Sequence, residues 1–301
     1  MSNAALYDQT GAADALYIGE VPDVAPGPGK VTVRVRAAGL NPYDAKVRAG
    51  VIPSKAPFPR RIGGDVAGTV EAVGEGSVYA DGTAIAVGDE VLGRASGAIA
   101  ERVTASARDL ARRPSALPVE VAGSLYVAGL TAVAIVDSVP VGPGDTVLVG
   151  GASGGVGLIA GQLAMSAGAR VIGTASPRNH ALLLSLGMEA VAYGDGLAER
   201  VAAMGTPTAV YDCHGRDALD AGFALGASPE RMVAIAAGDV PGIQSPGADA
   251  RTAANLAHLA ERVAVGEIIA PVAATFPLDQ VAAAFTALDG AHTPGKIVIL
   301  T

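Results

Sequence analysis

Apolar and polar positions divide this chain of 301 residues into three stretches with different periods. In roughly the first 120 residues, Gly and Pro interrupt short alternating or wholly apolar runs at 31–35, 66–73 and 90–92, which predicts a small, irregular β-rich unit. From about residue 121, long apolar helical segments alternate with short strands at 147–149, 171–174, 190–193, 209–212 and 232–236. That alternation predicts an α/β fold with a doubly wound parallel sheet, because each strand feeds a helix that crosses back over the sheet. Beyond about residue 266 the pattern changes again, to Pro271, Phe276 and Pro277, an amphipathic helix near 278–288 and a last strand at 296–300. The simplest assembly returns this tail to the first unit. Residues 1–121 and 266–301 then form one domain, and 122–265 are inserted in it as a second.

The segment 145–179, DTVLVGGASGGVGLIAGQLAMSAGARVIGTASPRN, carries the most specific signal. Residues 147–149 are wholly apolar, as expected of a parallel strand covered on both faces. Gly150 and Gly151 let the chain turn sharply, Gly154 leaves room for a pyrophosphate to approach the backbone, and Gly157 lets the following helix, roughly 155–167, lie close on its strand. Ala152, Ser153, Gly155 and Val156 complete the turn, and free N–H groups at the helix start are suited to hold phosphates. Gly168 fits a helix stop, and 170–175 supplies the second strand. An Asp or Glu at the end of that strand would accept hydrogen bonds from the ribose hydroxyls of an unphosphorylated dinucleotide. This chain has Ser176 and Arg178 instead, a hydrogen-bond donor and a guanidinium that grips phosphate through two N–H groups, so the expected cofactor is NADPH rather than NADH. The competing reading leaves both as ordinary loop residues.

Half of the residues are hydrophobic, 17% are charged and the net charge is −8, a globular composition with enough chain for two cores. Without clustered Lys and Arg, neither nucleic acid nor an anionic membrane is an expected partner, which leaves a small-molecule substrate. The single cysteine, Cys213, excludes an internal disulfide and a cysteine-built zinc site, and it points to a reducing cytoplasm. Residues 146–169 carry no charge, yet their glycines and Gln162 fit a buried strand, turn and helix better than a membrane span. The N-terminus lacks the basic and apolar pattern of a secretory signal.

The motifs LNPYDAKVRAG at 40–50, GGDVAGTVEAVG at 63–74, VGDEVLG at 87–93, VAGLTA at 127–132, GGASGGVG at 150–157, YDCHG at 211–215 and the closing GKIVIL form a specific set. Together they resemble the medium-chain dehydrogenase/reductase superfamily, in its zinc-free quinone oxidoreductase (zeta-crystallin-like) branch, over almost the whole length. The resemblance implies a GroES-like substrate domain around an inserted Rossmann domain, an active site in the cleft between them, and a homodimer. Zinc-dependent relatives carry a catalytic Cys where this chain has Asn41 and a His where it has Gly64, and the four-cysteine loop for structural zinc is missing, so no metal is expected. Hydrogen-bond donors must then meet the negative charge that develops on a carbonyl or enolate oxygen.

The reaction so implied is hydride transfer from NADPH to a quinone or to the β-carbon of an α,β-unsaturated carbonyl compound. Enoyl-thioester or polyketide-tailoring substrates are the alternative. A nucleotide-binding protein with a structural, sensor or redox-neutral, cyclase-like role is the reading from another class. By resemblance, Asn41 offers an active-site amide to a substrate oxygen or a nicotinamide-ribose hydroxyl, and Thr131 lies near the nicotinamide. Lys46, in the NPxDxK pattern shared with polyketide-associated enoyl reductases, either faces the substrate cavity or is a solvated surface lysine. Asp44 is expected to order its loop or to pair with Lys46 or Arg48. Tyr193 either stacks near the adenine ribose or is a half-buried strand residue. Ile99 and Arg102, within GAIAERV at 97–103, replace two tyrosines common in relatives. Among the histidines, His180 is a phosphate-loop or surface residue, His214 a ligand-edge or packing residue, and His258 and His292 read as helix-surface and loop residues.

Overall fold

The computed structural model describes residues 1–238, 240–290 and 294–301, and these build three sheets. In the smallest, β1 (Ser2–Tyr7) lies between antiparallel β2 (Tyr17–Val21) and β4 (Arg60–Arg61). The largest is centred on β3 (Lys30–Gly39) and β5 (Asp65–Val73), with β6 (Glu90–Arg94) and β8 (Leu110–Arg112) on one side and β7 (Arg102–Ser106) pairing β3. Val31, Val33 and Val35 alternate inward from β3, the two-residue period of a sheet with one wet face. Two strands from the end of the chain complete this sheet: β14 (Val272–Pro277) pairs β15 (Lys296–Leu300), and β15 runs antiparallel to β3 with Val298 opposite Gly39. The last strand therefore lies against the segment that leads from β3 into Asn41, and the Leu40 N–H donates to the Ile297 carbonyl at 2.9 Å.

The third sheet is wholly parallel, in the order β11-β10-β9-β12-β13. Its strands are β9 (Thr146–Gly150), β10 (Arg170–Thr174), β11 (Glu189–Val191), β12 (Ala209–Asp212) and β13 (Met232–Ala234). Val147, Leu148 and Val149 are fully buried, because helices cover both faces. On one side lie α3 (Leu125–Ser138), α4 (Gly155–Ser166) and α8 (Ala253–Ala264), which share a core with Val147 and Val149; Ala122 of the short α2 (Val119–Ala122) and Leu183 of α5 (His180–Ser185) join it. On the other, α6 (Leu197–Ala202) and α7 (Asp217–Ala224) pack on Leu148 and Val210. The chain moves outward from β9 to β11, then crosses back to β12, so the order reverses between β9 and β12. Ligands of such sheets collect at the carboxyl ends of the strands at this switch point.

Two predicted strands end early for identifiable reasons. The strand expected over 190–193 stops at Val191, where the Arg200 guanidinium takes the carbonyls of Ala192, Tyr193 and Gly194 at 2.9, 3.3 and 3.2 Å. Tyr193 is thus an exposed loop residue rather than a half-buried strand residue. The strand expected over 232–236 stops at Ala234, because Asp212 draws the N–H groups of Ala236 and Ala237 away from the ladder. The helix expected near 278–288 opens as one 3-10 turn, Leu278–Gln280, and continues as α9 (Val281–Gly290). His258 is exposed on α8, and His292 lies outside the described residues.

Candidate active site

The glycine turn joins β9 to α4 at the switch point. Gly151 takes φ +67°, a conformation that disfavours any side chain. A Cβ on Gly157 would stand 2.4 Å from the Gly151 carbonyl oxygen and 2.9 Å from Ala152 Cα. The clearance at Gly157 is therefore against the turn's own backbone, not against the strand as the sequence suggested. Gly154, the N-cap of α4, has the Gly151 oxygen at 3.3 Å as the nearest neighbour of an added Cβ. The N-cap of α4 is Gly154, so no side-chain oxygen caps the helix and its first turn offers backbone N–H groups at Val156 and Gly157. The turn is pinned to the end of β10: Gly151 N–H donates to Thr174 Oγ1 at 3.0 Å and Ala152 N–H to the Thr174 carbonyl at 2.9 Å.

The loop after β10 folds against this turn. Ser176 is half-buried and Arg178 exposed. Asn179 is buried and donates from Nδ2 to Ser153 Oγ at 3.2 Å, which fixes the loop to the turn. His180 Nε2 lies 3.1 Å from the Ala175 carbonyl. Across the switch point, the Tyr193 and His214 rings are 6.2 Å apart, and an added Cβ on Gly151 would come within 2.6 Å of His214 Cβ. His214 therefore packs on the turn. Asp212, fully buried at the end of β12, accepts from the N–H groups of His214 (3.0 Å) and Gly215 (2.7 Å) through one oxygen, and of Ala236 (3.3 Å) and Ala237 (3.0 Å) through the other. A single carboxylate thus shapes both loops on the far side of the turn.

Below the turn lies a buried charged cluster that sequence reasoning missed. Lys296, the first residue of β15, donates from Nζ to the Leu40 carbonyl at 2.6 Å and to Asn41 Oδ1, and stands 3.6 Å from Asp65 Oδ2. Asp65 is fully buried and accepts from the Val127 N–H of α3 at 2.9 Å. Asp44, on α1 (Pro42–Arg48), turns into the same cluster and accepts the Asn41 N–H at 3.0 Å. It pairs with neither Lys46 nor Arg48; Arg48 instead reaches Asp289 of α9 at 2.9 Å. Asn41 is buried, and its Nδ2 and Asp65 Oδ2 have no partner of hydrogen-bond geometry, although the amide lies beside both carboxylates. Thr131 is buried one helical turn beyond Val127 on α3. Lys46 stands on the exposed face of α1, and its ammonium makes no ion pair or hydrogen bond among the described residues.

Burial, followed by the neighbouring Asp65 carboxylate, pushes Asp44 up from 3.8 to about 7, against the pull of Lys296. Burial likewise pushes Asp65 up and Lys296 down. In the folded state Asp44 therefore holds a proton that the unfolded chain has released, and stability falls as pH rises from about 4 to about 7. The loss attributable to Asp44 is on the order of a few kcal/mol. Urea unfolding from pH 4 to 8 is expected to show this decline, and Asp44→Asn to flatten it.

Comparison with known proteins agrees with this architecture. The Alcohol dehydrogenase GroES-like domain family matches residues 27–115, and the Zinc-binding dehydrogenase family matches 186–299. Among the described residues no group of three or more His, Cys, Asp or Glu is arranged to hold a metal ion. The chain is similar to a mycobacterial quinone oxidoreductase structure, at 35% identity and TM-score 0.85 with all of both chains covered. It is also similar to a mycobacterial protein in complex with NADPH, at 33% identity and TM-score 0.88, with 99% of this chain and 100% of that one covered. A spectinabilin polyketide synthase protein, NorB of Streptomyces orinoci, is 31% identical over 96% of this chain and 14% of its own length. The chain spans less than half the length of each of the first curated relatives it matches, from 3% to 44%. No helix among the described residues is long and apolar enough to cross a membrane. With a GroES-like sheet, a Rossmann sheet and whole-chain similarity to a solved quinone oxidoreductase, the chain belongs to the medium-chain dehydrogenase/reductase superfamily, in its zinc-free quinone oxidoreductase branch.

Proposed function

We propose that the chain is an NADPH-dependent, zinc-free oxidoreductase that transfers hydride to a quinone or to the β-carbon of an α,β-unsaturated carbonyl compound. The observation that carries this reading is the glycine turn at 151–157, which opens α4 with no side-chain cap and is tied through Asn179 to the loop that bears Ser176 and Arg178. These residues fit the cofactor. The first N–H groups of α4 are suited to the pyrophosphate, the space outside Gly154 lets it approach, and Ser176 and Arg178 suit the additional ribose phosphate. Tyr193 and His214 border the adenosine end in this reading. Bound there, the cofactor supplies a hydride from its nicotinamide ring.

The chain's own part is to align the two reactants, exclude water and meet the developing oxyanion. Residues 122–265 hold the cofactor, and 1–121 with 266–301 shape the substrate side. Thr131 and Asn41 stand at the junction, and Lys46 enters as a cation that reaches the substrate from the exposed face of α1. The same reading takes the protein as a cytoplasmic homodimer. A second substrate class, enoyl thioesters, is favoured by the similarity to a polyketide synthase over 96% of this chain.

Fluorescence titration with the two reduced cofactors tests the assignment. NADPH is expected to bind at least about tenfold more tightly than NADH, a difference of about 1.4 kcal/mol, and Arg178→Ala to remove most of it. Equal or tighter binding of NADH would overturn the roles of Ser176 and Arg178.

A further inference from the structure

We propose that Lys296 is a positioning residue for hydride transfer: from the last strand it clamps Asn41 against the glycine turn and so sets the nicotinamide end of the cleft. The inference rests on the functional reading above. The backbone and side chain of this segment face different partners. The Gly295 N–H donates to the Ser153 carbonyl at 3.1 Å, and Gly295 bridges Gly154 in parallel, so backbone alone ties the segment to the phosphate turn. The aliphatic part of Lys296 lies over Gly155, where an added Cβ would meet Lys296 Cδ at 2.8 Å and Ala128 of α3 at 3.6 Å.

The ammonium then spends its donors on the other side, on the Leu40 carbonyl and Asn41 Oδ1, with Asp65 at 3.6 Å. Asp65 in turn holds the Val127 N–H, one helical turn before Thr131. One side chain thus links the phosphate turn, α3 and Asn41. An Asn amide is fixed when its carbonyl end is taken by a cation, because rotation about its terminal bond would bring NH2 against an ammonium. Lys296 therefore dictates which end of Asn41 faces it and which faces the acidic pair. Loss of the side chain leaves the backbone tie to the turn intact, so the phosphate end of the site survives while Asn41 is released.

Removing the ammonium alone would strand the buried acidic pair of Asp44 and Asp65 without a cation and risk the fold. The test therefore uses Lys296→Met combined with Asp65→Asn, which is neutral at both positions and keeps an acceptor for Val127, alongside Lys296→Arg. Thermal melting, NADPH titration by fluorescence and steady-state turnover with a panel of quinones, enals and enoyl thioesters are read on each. The double variant is expected to fold, to bind NADPH within about threefold of wild type, and to lose at least about tenfold in kcat; Lys296→Arg restores most of it. A folded double variant with undiminished kcat overturns the positioning role, as does a parallel loss of NADPH affinity and kcat that Arg does not rescue. A wild-type protein that neither binds NADPH nor consumes it with any acceptor overturns the functional reading itself, and this inference falls with it.

Discussion

Gly157→Ala is expected to weaken NADPH binding by at least about 100-fold, equivalent to about 2.7 kcal/mol. The new Cβ would stand 2.4 Å from the Gly151 oxygen and 2.9 Å from Ala152 Cα, and both are backbone atoms that cannot rotate away. Either the turn opens or α4 withdraws from β9, and in both cases the first N–H groups of α4 leave the position suited to the phosphates. The melting temperature should fall as well, because Ala152 and Gly151 are bonded to the end of β10. Gly154→Ala provides the contrast. Its Cβ meets only the Gly151 oxygen, at 3.3 Å, so the fold should melt within about 1 °C of wild type, a shift worth well under 1 kcal/mol. Yet the methyl projects into the space through which a pyrophosphate approaches, and affinity should fall without loss of stability. Melting and fluorescence titration of the two variants separate a turn that must be intact from a surface that must be bare. Gly157→Ala with wild-type affinity would show that the turn does not hold the cofactor.

The second large effect is expected at Asp212. Its carboxylate accepts four backbone N–H groups from two loops while fully buried. Asp212→Ala leaves those donors to find water or nothing, and each unmet buried donor costs about 1–3 kcal/mol. Partial hydration of the loops brings the expected total to about 3–4 kcal/mol, or a fall in melting temperature of roughly 5 °C. Because 213–215 flank the glycine turn, NADPH affinity should drop too. Asp212→Asn is expected to retain about half of the stability, since its oxygen still serves one loop while its NH2 faces the donors of the other. Differential scanning calorimetry of the two variants checks the order. An Asp212→Ala protein as stable as wild type would mean that the loops are held by other contacts.

What the sequence revealed about this site, and what it hid, follows from the reach of the interactions. The strand, turn and helix over 145–167 were legible because an apolar run, six glycines and an uncharged helix lie in one continuous window, and the helix ends one residue short of its expected end. The strand at 209–212 was read to the residue for the same reason. Tyr193 was misplaced because the interaction that ends its strand is a side chain seven residues away, Arg200, taking its carbonyl. Asn179 carries no signal of its own; its bond to Ser153 spans 26 positions. Lys296 was visible only as part of a closing motif, since its contact with Asn41 joins residues 255 positions apart. Asp44 was expected to order its loop or to pair with a cation on its own helix; it does order the turn, accepting the Asn41 N–H, but burial beside Asp65 and Lys296 decides its charged neighbours and its protonation. Periodicity reports which face of an element is dry, whereas the partner that a buried polar group meets is set only when the sheets assemble.

The central claim is that this chain holds NADPH at the 151–157 turn and passes hydride from it to carbon or quinone. The most direct measurement supplies NADPH deuterated at the transferable position of the nicotinamide, with enals, enoyl thioesters and quinones as acceptors, and follows the label by mass spectrometry and NMR alongside the rate of cofactor oxidation. The account predicts cofactor oxidation slowed by the deuterium, with the label on the β-carbon of reduced enals or thioesters wherever those are substrates. Unchanged cofactor with every acceptor, or reduced product that carries no label from NADPH at carbon and forms at an isotope-independent rate, would contradict it.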